Sequence, residues 1–284
     1  MKYIVIIPAY NEASYIEKTL SSLAQQTVLP EWVMVVNDNS TDQTAAIVES
    51  FTSLYPWLHL ITKSSPAIHL PGSKVIQAFN YGLSHLPTTI TYDFLVKLDA
   101  DLILPENYFA SIAREFEQNS RLGMVGGIAL IEKDNLWVVE NLTDKDHIRG
   151  AFKAYRKACF IQIGGLKPAM GWDTVDELLC RYYNWEILVR TNLQVKHLKP
   201  TGASYDKTAR YKQGEAFYRL HYGLLITLIA SLKLASRKGK PRLFVDYING
   251  YFKAKSRKEP YLVNAEQAKF IRNYRWTKIK AKLF

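Results

Sequence analysis

The sequence predicts an α/β fold in which a mostly parallel sheet is covered by helices on both faces, continued by an α+β half and ended by a basic helical extension. Three observations carry this reading. Through residue 130, short and near-continuous apolar runs alternate with segments of helical periodicity, the pattern of strands buried on both faces. Acidic and amide residues gather just after three of those runs. From Arg210 to Phe284, eighteen Lys and Arg stand against four Asp and Glu, so the net charge of +11 resides entirely in this last stretch.

A chain of 284 residues holds one large α/β domain with an appendage, or two small domains. Its 48% hydrophobic and 22% charged residues exclude the disordered and fibrous classes. Cys159 and Cys180 make neither a disulfide framework nor a structural zinc set, which predicts a reducing, cytoplasmic compartment. Pro8 ends the run Tyr3–Ile7 too soon for a secretory h-region, so the run reads as a buried first strand.

After Tyr3–Ile7, the segment Ser14–Gln25 reads as a helix, with Ser14 as N-cap and Glu17 at the capping-box position. Trp32–Val36 is a second strand, Thr41–Leu54 a second helix capped near Thr41 or Asp42, and Leu58–Thr62 a third strand. Pro71-Gly72 opens a helix over Ser73–Ser84, Tyr92–Leu98 is the fourth strand, Pro105–Glu117 a helix with its proline in the first turn, and Met124–Leu130 a further strand. Residues 1–130 thus form one half, 131–208 an α+β second half, and 209–284 the extension. In the extension, Gly214–Arg237 reads as a helix whose apolar run Gly223–Leu232 is about half a membrane span. One or two amphipathic helices follow it.

Pro8–Glu12 follows the first strand, Asn37–Asp42 the second and Asp99–Asp101 the fourth. In an open parallel sheet the ligand crevice lies outside the carboxyl ends of the strands, so the three clusters are expected around one cleft. Asp38 can accept a hydrogen bond from a pyrimidine N–H or a ribose hydroxyl; an Asx turn with a helix cap explains its neighbours without any ligand. Glu12 is a second candidate for a ribose or base contact, with Pro8 and Ala9 letting the backbone approach a nucleotide; a helix lead-in capped by Ser14 is the ligand-free explanation. Asp99 and Asp101, two residues apart at a strand end, suit Mg²⁺ or Mn²⁺ whose coordination is completed by phosphate oxygens. Asp101 is the expected direct ligand, and a polar turn is the ligand-free explanation of the pair. Lys74 opens its helix with a cation that opposes the helix dipole, which favours an anion contact; Asn80 lies on the same helix.

On the second half, Gly164-Gly165-Leu166 marks a turn, and Gly171–Glu177 brings Trp172, Asp173, Asp176 and Glu177 into seven residues. A helix starting near Asp173 can hold a general base, with Trp172 as a flat face for a sugar ring; an N-cap with early acidic residues explains the same pattern structurally. His197 ends the strand Leu193–Lys196 and can join distant carboxylates at a metal.

As an ordered set, these motifs resemble the family 2 glycosyltransferases, which have the Rossmann-like GT-A fold. The resemblance covers residues 1–200: Pro8-Ala9-Tyr10-Asn11-Glu12, Asn37-Asp38-Asn39-Ser40-Thr41-Asp42 with Asn37 in place of the usual aspartate, the helix from Lys74 to Asn80, Asp99-Ala100-Asp101, the Gly164-Gly165 pair and His197. It implies a nucleotide-sugar donor held by Pro8, Ala9, Tyr10, Glu12, Asp38, Lys74, Asp99, Ala100 and Asp101. It further implies Mg²⁺ or Mn²⁺ at Asp101 and His197, a saccharide or lipid-linked saccharide acceptor, and inversion at the anomeric carbon. The base is Asp173 or Asp176, because Asn184 stands where a glycine is usual and the two registers differ. UDP is the expected nucleotide, and the resemblance extends to bacterial cell-envelope polysaccharide enzymes.

A nucleotidyltransferase would need a glycine-rich basic loop after the first strand, which Pro8–Ala13 does not offer. An inactive scaffold would have no use for the retained carboxylates. No nucleic-acid module is present, so the basic extension is read as a face for anionic lipid, which would place the protein peripherally on the inner membrane surface, with an ordinary solvated face or a protein partner as the alternative. Oligomerisation stays open.

Overall fold

The computed structural model describes residues 1–64, 72–140, 146–199 and 209–283; Pro71 lies outside them. Four strands come first, β1 (Tyr3–Ala9), β2 (Trp32–Asn37), β3 (Leu58–Thr62) and β4 (Phe94–Leu98), with α1 (Ile16–Ala24), α2 (Thr44–Thr52) and α3 (Lys74–Ser84) between them. They pair in parallel in the order β3-β2-β1-β4. Then follow β5 (Leu102–Ile103), α4 (Tyr108–Gln118), β6 (Leu122–Lys133), β7 (Leu136–Val139), β8 (Phe152–Arg156), α5 (Lys157–Gln162), α6 (Trp172–Tyr182) and β9 (Glu186–His197). These strands extend the sheet as β4-β8-β6-β9-β5, with β7 on the side of β6 and β8 antiparallel to both its neighbours. The last four helices are α7 (Ala209–Arg219), α8 (Gly223–Arg237), α9 (Arg242–Ser256) and α10 (Ala265–Leu283).

Alternate residues of each buried strand feed two cores. Tyr3, Val5 and Ile7 of β1 pack with α1 and α4 on one face. Ile4 and Ile6 pack with α3, α6 and the C-terminal helices on the other. Phe217, Tyr251 and Ile271 of the extension belong to that second cluster, so the extension is part of the core. Its first and third helices cross closely: a Cβ on Gly214 would lie 1.8 Å from the Tyr247 carbonyl oxygen, and one on Gly250 would lie 2.1 Å from that of Tyr211.

Several expected boundaries shift. α1 begins two residues beyond Ser14, and among the described residues no side chain caps it. Its first amides instead use the Glu12 carbonyl, which accepts from Tyr15 N and Ile16 N at 2.9 Å. Pro105 does not open α4; residues 105–107 form a turn closed by Tyr108 N on the Pro105 carbonyl at 3.0 Å. The single helix expected over Gly214–Arg237 is two, because His221 at φ 59° and Gly223 at φ 76° turn the chain through the left-handed region.

The register places the functional segments. Ala9 pairs with Asn37 and Ile6 with Lys97, so Glu12, Asp38 and Asp99 all emerge at the carboxyl edge of the sheet. β5 pairs Leu102 with His197, which brings the far end of β9 back beside Asp101.

Candidate active site

Two loops build the first wall. Asn11 N donates to Ser40 Oγ at 3.0 Å and Thr41 N donates to Asn11 Oδ1 at 2.8 Å. Glu12 N donates to Thr44 Oγ1 at 2.8 Å, and Ala13 N to Asp42 Oδ2 at 3.1 Å. Asn37 Oδ1 accepts from Ser40 N at 3.1 Å. The turn therefore consumes Asn37, Ser40, Thr41 and Asp42, and leaves the Asp38 carboxylate out. Asp38 is buried, its Oδ1 is 3.6 Å from Lys63 Nζ, and that oxygen has no hydrogen-bond partner among the described residues. Tyr10 stands exposed at the end of this loop. Pro8 and Ala9 lie in β1, paired with Val36 and Asn37.

The second wall is the end of β4 with the end of β9. Lys97 Nζ donates to Asp99 Oδ1; burial pushes the Asp99 carboxyl up despite that cation. Ala100 is buried and its carbonyl accepts from Thr19 Oγ1 at 2.8 Å. Asp101 Oδ2 meets His197 Nε2 at 3.3 Å, and both residues are buried to within a tenth of their side-chain surface. Burial disfavours charge on the His197 imidazole, but the Asp101 carboxylate outweighs it and the pKa is raised. Glu12 Oε1 accepts from Lys199 Nζ at 2.8 Å, while burial raises the Glu12 carboxyl, helped by the nearby charges of Asp101 and Asp99. Glu12 Oε2, Asp101 Oδ1 and His197 Nδ1 are all buried without a hydrogen-bond partner among the described residues. Buried polar atoms are rarely left so.

The third wall is α6. Asp173 lies in its first turn with its side chain 36% exposed, 3.7 Å from His147 Nε2. Burial pushes that carboxyl up, but His147 prevails and holds it at about 2. Asp176 is enclosed: Lys153 Nζ donates to its two oxygens at 3.2 and 3.1 Å and Tyr155 Oη donates at 2.6 Å. Burial raises its pKa to about 6. Glu177 accepts from Ile148 N at 2.9 Å and faces His147 Nδ1 at 3.2 Å. Trp172 is not an open platform for a sugar: it is 7% exposed, with Lys97 Nζ 5.2 Å from its ring centroid. Lys74 begins α3 beside Ser73, half-buried. Asn80 is occupied by the fold, its amide donating to the Leu166 carbonyl at 3.3 Å.

The family model for glycosyl transferase family 2 matches residues 4–167, more than half of the chain. The chain belongs to glycosyl transferase family 2. Its sequence is 25% identical over 122 residues to a poly-beta-1,6-N-acetyl-D-glucosamine synthase of Staphylococcus epidermidis, covering 43% of this chain and 27% of that protein. The matched stretch spans less than half the length of the curated relatives found. In architecture, the chain resembles the mannosyltransferase PcManGT of Pyrobaculum calidifontis, solved with GDP-Man and Mn²⁺, at TM-score 0.60 and 16% identity over 100% of this chain and 81% of that one. It also resembles S. aureus TarS 1–349, solved with UDP-GlcNAc, at TM-score 0.58 and 19% identity over 89% of this chain and 73% of that one. These likenesses establish the GT-A type of α/β fold, with a helical C-terminal region.

Several charged residues of this family 2 site escape a reading from motifs. Lys97, Lys153 and His147 surround the two acidic walls, and Lys199 and Lys63 pair with Glu12 and Asp38. The signal for two of them is local: Lys97 interrupts the apolar run Phe94–Leu98, and Lys153 sits between Phe152 and Ala154. A lysine inside a buried strand needs a carboxylate partner. Among the described residues, no group of three or more His, Cys, Asp and Glu gathers as a cage for a metal. Asp101 and His197 do offer one oxygen and one nitrogen, each buried and unpartnered. That donor set fits a divalent ion whose remaining positions are filled by substrate oxygens and water.

Proposed function

We propose that the protein transfers a sugar from a nucleotide-diphosphate donor, UDP-linked by preference, to a hydroxyl of a glycan or lipid-linked saccharide, with inversion at the anomeric carbon. The observation that carries this reading is the set of three strand-end carboxylates, Glu12, Asp38 and Asp101, each with a buried oxygen left without a hydrogen bond among the described residues at one edge of the sheet. A ligand rich in hydroxyls and N–H groups, carrying a metal-bound diphosphate, satisfies all three.

Asp38 and Glu12 seat the nucleoside, with Pro8, Ala9 and Tyr10 beside it. Lys74 and Asp99 face the diphosphate and the sugar. Asp101 and His197 hold Mg²⁺ or Mn²⁺, which when bound neutralises the charge of the leaving diphosphate. The acceptor oxygen attacks the anomeric carbon as the bond from that carbon to the diphosphate oxygen breaks. Asp173 takes the acceptor proton. Geometry favours Asp173 over Asp176 here: Asp173 is partly open, whereas both oxygens of Asp176 are engaged by Lys153 and Tyr155. Positioning of the two substrates supplies much of the acceleration.

The relatives support a glycan acceptor, since one is named a polysaccharide synthase. They leave the base of the nucleotide open, since the two structural neighbours hold GDP-Man and UDP-GlcNAc. The test is release of nucleoside diphosphate from a panel of UDP-, GDP- and dTDP-sugars with Mn²⁺ present and saccharide acceptors added. Turnover of one nucleotide class supports the reading. No turnover of any, by folded protein that binds no nucleotide, contradicts it.

A further inference from the structure

α8 turns Ile226, Thr227, Ser231 and Ala235 inward and leaves a stripe of large apolar residues outward. Thr227 and Ser231 are fully buried and Ala235 nearly so, where the helix packs on α7, α9 and α10. The stripe Leu225, Ile229 and Leu232, spaced i, i+4, i+7, is exposed by 64, 39 and 63%. A surface helix of a soluble domain shows the opposite arrangement. The buried Ser231 hydroxyl even lacks a hydrogen-bond partner among the described residues, so packing of small side chains, not polarity, governs the inner face. On α9, Val245 and Phe252 are exposed seven residues apart, two turns along one face.

The charges of the α8–α9 turn are of one sign. Arg237, Lys238, Lys240 and Arg242 fall within six residues at the α8–α9 turn, all exposed. From Gly223 to Arg242 there is no Asp or Glu. A second copy of the chain docked through the same patch would bring like-charged clusters together. A nucleic acid would leave the leucines in water.

We propose that the outer face of α8 and the α8–α9 turn lie on an anionic lipid bilayer. Leu225, Ile229 and Leu232 enter the headgroup–acyl boundary, and the cations at the turn meet lipid phosphates. The helix lies in the surface and does not cross it: among the described residues, no helix is long and apolar enough to span a membrane. This assignment is independent of the donor site.

The test uses the full chain, because Phe217, Tyr251 and Ile271 of the extension belong to the core and truncation would open it. The protein is floated with vesicles of phosphatidylcholine alone and of equal parts phosphatidylcholine and phosphatidylglycerol. Flotation with the anionic vesicles, weakened by salt, is expected. L225S/I229S/L232S should lose roughly tenfold or more in partitioning, with unchanged circular dichroism because the three side chains face outward. K238Q/K240Q/R242Q should lose about fivefold per cation removed. Full-length protein that stays unbound with both vesicle types overturns the proposal, as does equal flotation by the leucine variant. A dimer that the leucine variant dissolves, with no flotation, assigns the face to a second copy instead. Nucleotide titration of the leucine variant reads the donor site separately.

Discussion

Lys97 of β4 and Lys153 of β8 stand directly opposite one another in the antiparallel ladder, 2% and 0% exposed. Two opposed ammonium groups would repel in a buried sheet. Each is compensated on a different side of the site: Lys97 by Asp99 just past β4, and Lys153 by Asp176 and Glu177 of α6. Trp172 covers both cations, 5.2 and 5.9 Å from its ring centroid. The pair thus ties the end of β4 to α6 through a charged, buried layer.

Lys153→Met should destabilise the protein more than Lys97→Met. The first leaves the buried Asp176 without its cation and Glu177 with His147 alone, at a cost of about 3–5 kcal/mol. The second strands Asp99, whose side chain keeps 31% of its surface and can take up water. Urea unfolding of both variants gives the order directly.

Asp173→Asn and Asp176→Asn should separate chemistry from structure. Asp173→Asn is expected to keep nucleotide affinity and fold while lowering kcat by about 10²–10⁴. Asp176→Asn removes a buried partner of Lys153 and should lower the unfolding midpoint. Comparable folding of both variants with kcat lost only in Asp176→Asn would reverse the assignment.

Stability should fall as pH rises above neutrality. Burial works against charge on His147, but its bonds to Asp173 and Glu177 lift the imidazole from an ordinary 6.5 to about 9. A raised histidine contributes fully below its unfolded pKa and loses that contribution as pH passes the folded value. The loss therefore runs from pH about 6.5 to about 9 and amounts to roughly 3 kcal/mol. His197 is raised too and acts in the same direction. Denaturant unfolding across this range should show a slope that His147→Gln reduces and His147→Gln/His197→Gln removes.

Gly214→Ala and Gly250→Ala should each push α7 and α9 apart, since the added methyl meets backbone at 1.8 and 2.1 Å. Overpacking of this kind costs about 1–3 kcal/mol. Thermal unfolding measures it. Because the two sites share one crossing, the double variant should cost less than the sum.

The parallel half of the fold was legible because buried strands are continuous apolar runs: Leu58–Thr62 is a strand over the expected residues, and Tyr3–Ile7 and Trp32–Val36 each extend by one or two residues. Helix starts were less legible. Ser14 and Glu17 spell a capping box, yet tertiary hydrogen bonds to Thr44 and Asp42 fix the preceding loop, and the Glu12 carbonyl receives the first amides. The left-handed turn at His221 has no proline to announce it, though Gly223 marks its end. For the site, motifs located Glu12, Asp38, Asp99 and Asp101 but not the lysines that pair with Glu12, Asp38 and Asp99. Lys199 and Lys153 lie 187 and 23 residues from the acids they serve, and such pairings follow from sheet order, which spacing does not encode.

Asp101 and His197 are proposed to complete a metal–diphosphate site with the donor. Calorimetric titration of UDP, GDP and dTDP into the full chain, with Mn²⁺ and with EDTA, tests it against Asp101→Ala. Binding of one nucleotide that needs Mn²⁺ and disappears in Asp101→Ala, with the variant still folded, is expected. Metal-independent binding that survives Asp101→Ala, or no nucleotide binding by the folded wild-type chain, would contradict it.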